Sequence, residues 1–388
     1  MDFYFDNEDI KIAKQVGDFL TNNPEISGEE KKSSEFLIQT LKQLGYSIKS
    51  PYGSVKYSFL ASKQKKNAKK KIAFLCEYDA LPEIGHACGH SYSCAISILA
   101  ALTLQKIESI PFEVHLIGTP GEEFIGGKCY MAEDGCFDQY EFVAMVHLSN
   151  ENKAQFEVLA CNDKYITFHG KSSHASANPE EGINALNAAR LYMDGMDMWR
   201  QHISKDCQFH GIVEKGGTLP NIIPDTVSLN YYFRASTVSK VWELNKIAEN
   251  CAKGASIMTG TTVTIKQQYP DYTEIFWSDK MDQIVENAFS IIGKKVSVSE
   301  GAIGSSDVGN VSLKVPVFHP MLDITNNNKN ISLHHQEFEK LLHSDSRENY
   351  LKDGAMLLYH IVTMLSNNEQ LLNQIQKEHK AYCTKHKY

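Results

Sequence analysis

The run Lys71-Ile72-Ala73-Phe74-Leu75-Cys76 leads directly into Glu77-Tyr78-Asp79-Ala80-Leu81-Pro82-Glu83-Ile84-Gly85-His86-Ala87-Cys88-Gly89-His90. The first part is short, apolar past its opening lysine and preceded by further lysines, which fits a strand covered on both faces. The second part sets His, Cys and His at alternate positions just past the end of that strand. Soft and borderline ligands at a strand end point to a metal site, and carboxylates beside them point to hydrolysis.

Working outward, Ser91 to Ile107 reads as a helix, and Phe112 to Ile117 and Phe142 to His147 read as further strands. Upstream, Ile10, Ala13, Val16, Phe19 and Leu20 recur at helical spacing until Asn23-Pro24. Phe36, Leu37, Leu41 and Leu44 mark a second helix stopped by Gly45. Strands alternating with helices predict an α/β layer with a mostly parallel sheet, whose ligands sit at strand carboxyl ends. The lysines at 63, 65, 66, 69, 70 and 71 lie between strand-like segments and read as a solvated hairpin.

The pattern changes near Cys161. Ile166 and Phe168 alternate with Thr167 and His169, as in a sheet with one wet face. A helix is expected from about 182 to 203. Val227, Leu229, Tyr231 and Phe233 then alternate with polar neighbours, followed by a helix near 240–259 and a strand near 262–267. This predicts an α+β unit over 163–272 inserted into a larger domain made of 1–162 and 273–388. Helices return at Met281 to Ile292 and at about Asp345 to Leu365. The sequence shows no internal repeat or coiled coil.

Composition narrows the function. The 388 residues suffice for two domains with real cores, and 42% hydrophobic with 22% charged residues is ordinary for a globular protein. A formal charge of −8 argues against a nucleic-acid surface. Met1 to Asp9 carries no apolar h-region, so no secretory leader is expected there, and no apolar stretch reaches membrane-spanning length. The nine cysteines are odd in number and scattered. That fits a reducing cytoplasm better than a disulfide framework.

In an extended chain, residues two apart point the same way, so Cys88 and His90 can converge on one cation, with Gly89 allowing close approach. A buried cysteine flanked by hydrogen-bonded histidines would read the same. A redox thiol is disfavoured because no Cys-x-x-Cys pair is present. In Gly118-Thr119-Pro120-Gly121-Glu122-Glu123, neighbouring side chains diverge at a strand end. One glutamate can bind metal while the other faces a bound water as a general base; a solvated acidic turn is the plain alternative. His147 ends an apolar strand and could be a core residue or a ligand. His334 and His335 are two more imidazoles on a loop. Together these places could supply two cations sharing a bridging water.

The order and wording of these motifs resemble the co-catalytic metallopeptidases and amidohydrolases that include aminoacylase, glutamate carboxypeptidase and p-aminobenzoyl-glutamate hydrolase. The likeness is to the branch with His-x-Cys-Gly-His. It runs through Asn23-Pro24-Glu25, Asp79-Ala80-Leu81-Pro82, His86 to His90, Gly121-Glu122-Glu123 and His147. It continues through Gly170 to Ala175, Asn221-Ile222-Ile223-Pro224, Gly304-Ser305-Ser306-Asp307 and His334. The resemblance implies a zinc-peptidase-like catalytic domain with helices on both sheet faces, and a ferredoxin-like inserted domain for dimerisation and closure. It implies Cys88, His90, Glu123, His147 and His334 as metal ligands and Glu122 as general base. Asp79 would orient a ligand. His174, lent across a homodimer, would stabilise the oxyanion. Asn221 and Arg234 would lie near a substrate carboxylate. Ser91 departs from the branch, which has Asp or Asn after the second His. Between the adjacent imidazoles, His334 is preferred because four residues separate it from Phe338, as in the family.

The expected protein is therefore a cytoplasmic homodimeric hydrolase of amide bonds in small N-acyl amino acids or dipeptide-like substrates. It would use two divalent cations, zinc first, with manganese, cobalt or nickel admissible. A metal-bridged hydroxide would attack, with Glu122 taking the proton, and neither nucleic acid nor membrane is an expected partner. The rival readings are a catalytically inactive metal- or ligand-binding relative and an enzyme using Cys88 as nucleophile.

Overall fold

The computed structural model describes residues 5–298, 301 and 304–386. The first four residues of the acidic start lie outside this set. Its strands run in chain order as β1 Ser47–Lys49, β2 Phe59–Ser62, β3 Lys70–Cys76, β4 Phe112–Gly118, β5 Val143–Ala144, β6 His147–Ser149, β7 Ala160–His169, β8 Gln208–Lys215, β9 Thr226–Ala235, β10 Thr262–Lys266, β11 Val317–Phe318 and β12 Met321–Asp323. The chain divides into two compact units, one made of Met1–Glu157 with Ile275–Tyr388 and the other of Val158–Glu274.

The first unit is the predicted α/β layer. Its six-stranded sheet has the order β1-β2-β4-β3-β5-β11. The β4-β3, β3-β5 and β5-β11 pairs are parallel, while β1-β2 and β2-β4 are antiparallel. Five consecutive residues of β3, Ile72 to Cys76, are buried, as the uninterrupted apolar run requires. Beside it lies the helix His90–Gln105, buried along nearly its whole length. It packs on Asn7–Asn22, on Arg347–Ser366 and on β3. A helix apolar all round belongs at the centre of a domain, and its N-terminus delivers His90 to the end of β3.

Two expectations fail here. Phe142 to His147 is not one strand. Val143 and Ala144 join the large sheet, whereas His147 opens β6, which pairs in parallel with β12 in a separate two-stranded sheet. All six residues from Phe142 to His147 are buried, so no polar residue marks the break. The lysine run is not a hairpin either, because β2 pairs with β4 rather than β3. Nor is it all solvated. Lys63 Nζ donates to Leu44 O at 2.8 Å, and buried Lys65 Nζ donates to Leu104 O at 2.7 Å. Each ammonium thus donates to a carbonyl at a helix C-terminus. Burial pulls the Lys65 pKa down to about 8.

The second unit runs β7, helix Ala185–Trp199, β8, β9, helix Val238–Thr259, β10. Its antiparallel sheet has the order β10-β7-β9-β8, the ferredoxin-like arrangement. β9 shows the predicted alternation, with Val227, Leu229, Tyr231, Phe233 and Ala235 inward. β8 carries no such pattern because it is an edge strand in which only Phe209 is buried.

Candidate active site

Two left-handed glycines bring the site's loops together. Gly89 has φ +87, and a Cβ there would stand 2.8 Å from Leu148 Cβ. Only glycine fits such a turn against a neighbour. The turn ends the loop from β3 and starts the central helix, so Cys88 and His90 converge through this kink and not along an extended strand as expected. Gly121 has φ +81, and its carbonyl accepts from the N–H groups of Gly126 and Gly127 at 2.9 and 3.2 Å. That closes the turn carrying Glu122 and Glu123 past the end of β4.

Three groups of candidate ligand atoms result, each with its atoms within 4.8 Å of one another: Cys88 with His90 and His147, Cys88 with Glu123 and His334, and His90 with Glu122 and Glu123. Cys88, His90 and Glu123 each belong to two groups, so the three merge into one cluster. His334, with φ +64, donates its backbone N–H to Ala87 O at 3.0 Å, and its Nε2 lies 3.8 Å from Glu123 Oε1. His335 instead precedes the short helix Gln336–Leu341 and belongs to none of the groups.

Ring orientation is fixed from outside the cluster. His147 Nδ1 lies 2.7 Å from Leu148 O, and its Nε2 lies 3.5 Å from Cys88 Sγ. A proton on Nδ1 leaves the Nε2 lone pair free. His90 Nδ1 lies 3.1 Å from Asp79 O and 3.0 Å from Asp79 Oδ1. Asp79 Oδ2 accepts from Ser27 Oγ at 2.6 Å and from Glu123 N at 2.9 Å. Ser91 plays no part in this, since it accepts from Thr21 Oγ1 at 2.8 Å between two helices.

The donor set fits a cation. Among the described residues, His90 Nε2 and Glu123 Oε1 are buried with no hydrogen-bond partner, which is costly for polar atoms unless an ion or water completes them. Thiol, imidazole and carboxylate together suit zinc and its first-row neighbours. Burial, then the Glu123 charge, pushes the Cys88 thiol well up. Burial opposes charge on His90, yet Cys88, Glu77 and Asp79 hold its pKa well above the usual imidazole range. Glu122 is pushed well up by burial, then by Asp307 and Glu123.

Behind the cluster lies a charged group that sequence reading did not anticipate. Buried Lys128 Nζ stands 2.6 Å from Glu77 Oε1 and 2.8 Å from Asp307 Oδ1. Burial raises Glu77, but the Lys128 ammonium and then His90 hold it down to about 2. Among the described residues, neither ring nitrogen of buried His319 has a hydrogen-bond partner. Glu77 and Asp307 both stood in quoted motifs without a role, and Lys128 had no signal beyond following two glycines.

The remaining predicted residues belong to the second unit. His174 is exposed, and its Nδ1 accepts from Ala177 N–H at 3.1 Å and from Ser176 N–H at 3.3 Å. The neutral ring therefore carries its proton on Nε2. Ala175 N–H donates to Asn221 O at 3.0 Å, which sets Asn221 beside the His174 turn. Arg234 lies on interior strand β9, opposite Cys161 and Gln208, and so is not a strand-edge charge.

The sequence profile of peptidase family M20/M25/M40 matches residues 73–364. The chain belongs to this family. An Xaa-Arg dipeptidase of Mus musculus is 38% identical over 324 residues, covering 80% of this chain and 74% of the mouse protein. One of the two subunits of the p-aminobenzoyl-glutamate hydrolase of Escherichia coli K12 is 29% identical over 270 residues, 64% of this chain and 56% of the bacterial one. The fold matches a Bacillus subtilis dinuclear metal-binding peptidase of family M20 with TM-score 0.70 at 18% identity, covering 93% and 99% of the two chains. This M20 chain is an amide-bond hydrolase of the metallopeptidase type. Among its described residues no helix is long and apolar enough to cross a membrane.

Proposed function

We propose that the chain is a di-metal dipeptidase that cleaves small substrates with a free carboxylate, dipeptides with a basic C-terminal residue first and N-acyl amino acids second. The observation that carries this reading is the split between neighbouring glutamates. Glu123 belongs to two of the candidate groups, with Cys88 and His334 and with His90 and Glu122, whereas Glu122 belongs to one and also accepts from Ser306 Oγ at 2.7 Å. The likeness to Xaa-Arg dipeptidase supports the basic residue.

Cys88, His90, Glu123, His147 and His334 would hold two divalent cations, zinc by preference, which when bound supply Lewis acidity and lower the pKa of water. Glu122 takes a proton from the attacking water. The Nε2–H of His174 donates to the carbonyl oxygen as negative charge builds there. Glu122 then passes its proton to the leaving nitrogen, the C–N bond breaks, and a carboxylate and an amine result. Asp79 fixes His90 and Glu123 throughout. Asn221 and the fork of Arg234 suit the substrate carboxylate.

The second unit would dimerise the protein and carry His174 to the partner's site. Support comes from edge strand β8, where Ile212 and Val213 are 65% and 44% exposed, since an open edge invites pairing. The free cysteines of the described residues support a reducing, cytoplasmic setting. The reading is tested by amine release from a panel of Xaa-Arg, Xaa-Lys and neutral dipeptides beside N-acyl amino acids. It expects the basic dipeptides to give the highest kcat/KM, and a preference for neutral dipeptides would overturn that choice of substrate.

A further inference from the structure

The Lys128–Glu77–Asp307 group demands an account. All three side chains are almost fully buried. Buried ions rarely raise stability over apolar residues of the same size, because desolvation offsets their attraction. Their place is informative. Glu77 follows β3 and its Oε2 lies 3.4 Å from His90 Nε2. Lys128 stands in the first turn of the helix Gly127–Glu133, after the Glu122–Glu123 turn. Asp307 belongs to the late Gly304-Ser305-Ser306-Asp307 segment, more than 170 residues further along the chain.

Lys128 grips Asp307 twice, through its backbone N–H at 2.9 Å and its Nζ at 2.8 Å. That fixes the preceding residue, Ser306, which is 1% exposed. Val308 N–H donates to Ser306 Oγ at 3.3 Å, and Ser306 Oγ donates to Glu122 Oε1 at 2.7 Å. The hydroxyl thus accepts on one side and sends its proton to the glutamate on the other. A carboxylate with one oxygen tethered keeps a single orientation and leaves the second oxygen for proton transfer.

We propose that Ser306 is a positioning residue for Glu122, held in place by the buried Lys128–Asp307 pair, so that the late segment aims the base at the attacking water. The proposal rests on the reading of Glu122 as general base. It assigns the ion group a purpose: Lys128 anchors a distant segment to the turn that carries the base.

The test compares Ser306→Ala, Ser306→Thr, Ser306→Cys and Glu122→Ala, alone and combined, in the metal-loaded full chain. Ser306→Ala should lower kcat about 10- to 100-fold while KM and bound metal per chain stay within about twofold of the parent. Ser306→Thr, which keeps the hydroxyl, should recover most of kcat. Ser306→Cys, a weak donor of similar size, should fall between them and serves if the alanine variant does not fold. In the Glu122→Ala background, Ser306→Ala should cost nothing further. Unchanged kcat in Ser306→Ala beside an inactive Glu122→Ala would overturn the positioning role and leave the base reading intact. Loss of metal in Ser306→Ala would overturn it in favour of a structural role. An active Glu122→Ala would instead overturn the base reading and the proposal with it.

Discussion

The backbone N–H of Glu123 donates to Asp79 Oδ2 at 2.9 Å, while Asp79 Oδ1 lies 3.0 Å from His90 Nδ1. One buried carboxylate therefore holds two candidate ligands from segments that follow different strands, β3 and β4. Removing it frees both the imidazole and the turn of Glu123. Asp79→Ala should lower metal affinity about 10- to 100-fold, measured by titration of the metal-free protein. Asp79→Asn should lose less, because its amide oxygen can still accept one of the two bonds.

Glu122→Ala should reduce kcat by about 10²- to 10⁴-fold, the usual worth of a general base. Elemental analysis should find its bound metal unchanged. Parallel loss of metal would move Glu122 from proton carrier to ligand.

His174 presents a fixed Nε2–H, because backbone N–H groups of Ser176 and Ala177 occupy Nδ1. A side-chain amide can replace that donor only at the same reach. His174→Gln should retain more kcat than His174→Ala, and His174→Asn should behave like the alanine variant. If each site draws on both subunits, mixing inactive His174→Ala and Glu122→Ala proteins should restore activity in the hybrid dimers. Hybrids that stay inactive would mean that one chain builds the whole site.

Glu30 is fully buried beside helix Lys31–Gln43, and burial, then the Asp79 charge, raises its pKa from 4.5 to about 8. The folded state thus holds a proton that the unfolded chain releases between those values. Stability from this group is complete below pH 4.5 and is lost as pH rises through about 8, with a slope approaching about 1.4 kcal/mol per pH unit inside the window. Glu30→Gln should flatten that slope in denaturant titrations at pH 5 to 9. An unchanged slope would show that Glu30 does not titrate in this range.

Much of the fold was legible because the runs that matter are either wholly apolar or strictly alternating. Ile72 to Cys76 announces a covered strand and Val227 to Ala235 a half-covered one. The same uniformity hid the break inside Phe142 to His147, where every residue is buried and no polar position marks the change of sheet. Strand β8 was missed because an edge strand with one inward residue has no period to read. The helix Glu369–His386 buries only Leu372, Ile375 and His379 among polar neighbours, and it too was overlooked. The candidate ligand types could be read in His86 to His90 and Glu122-Glu123. The site's supporting charges could not, because a lysine in a sequence is ordinarily a surface residue. Only the three-dimensional meeting of Glu77, Lys128 and Asp307 shows otherwise.

The central claim is that one thiolate, three imidazoles and one carboxylate cage two cations. Metal per chain, determined by elemental analysis of protein freed of metal and reloaded with zinc, tests it most directly when activity is followed in the same samples. Such a cage predicts two equivalents in the parent, a lower value in Cys88→Ala, and dipeptide cleavage that vanishes on chelation and returns with the metal. Full activity without stoichiometric metal, or two equivalents retained by Cys88→Ala, would contradict it.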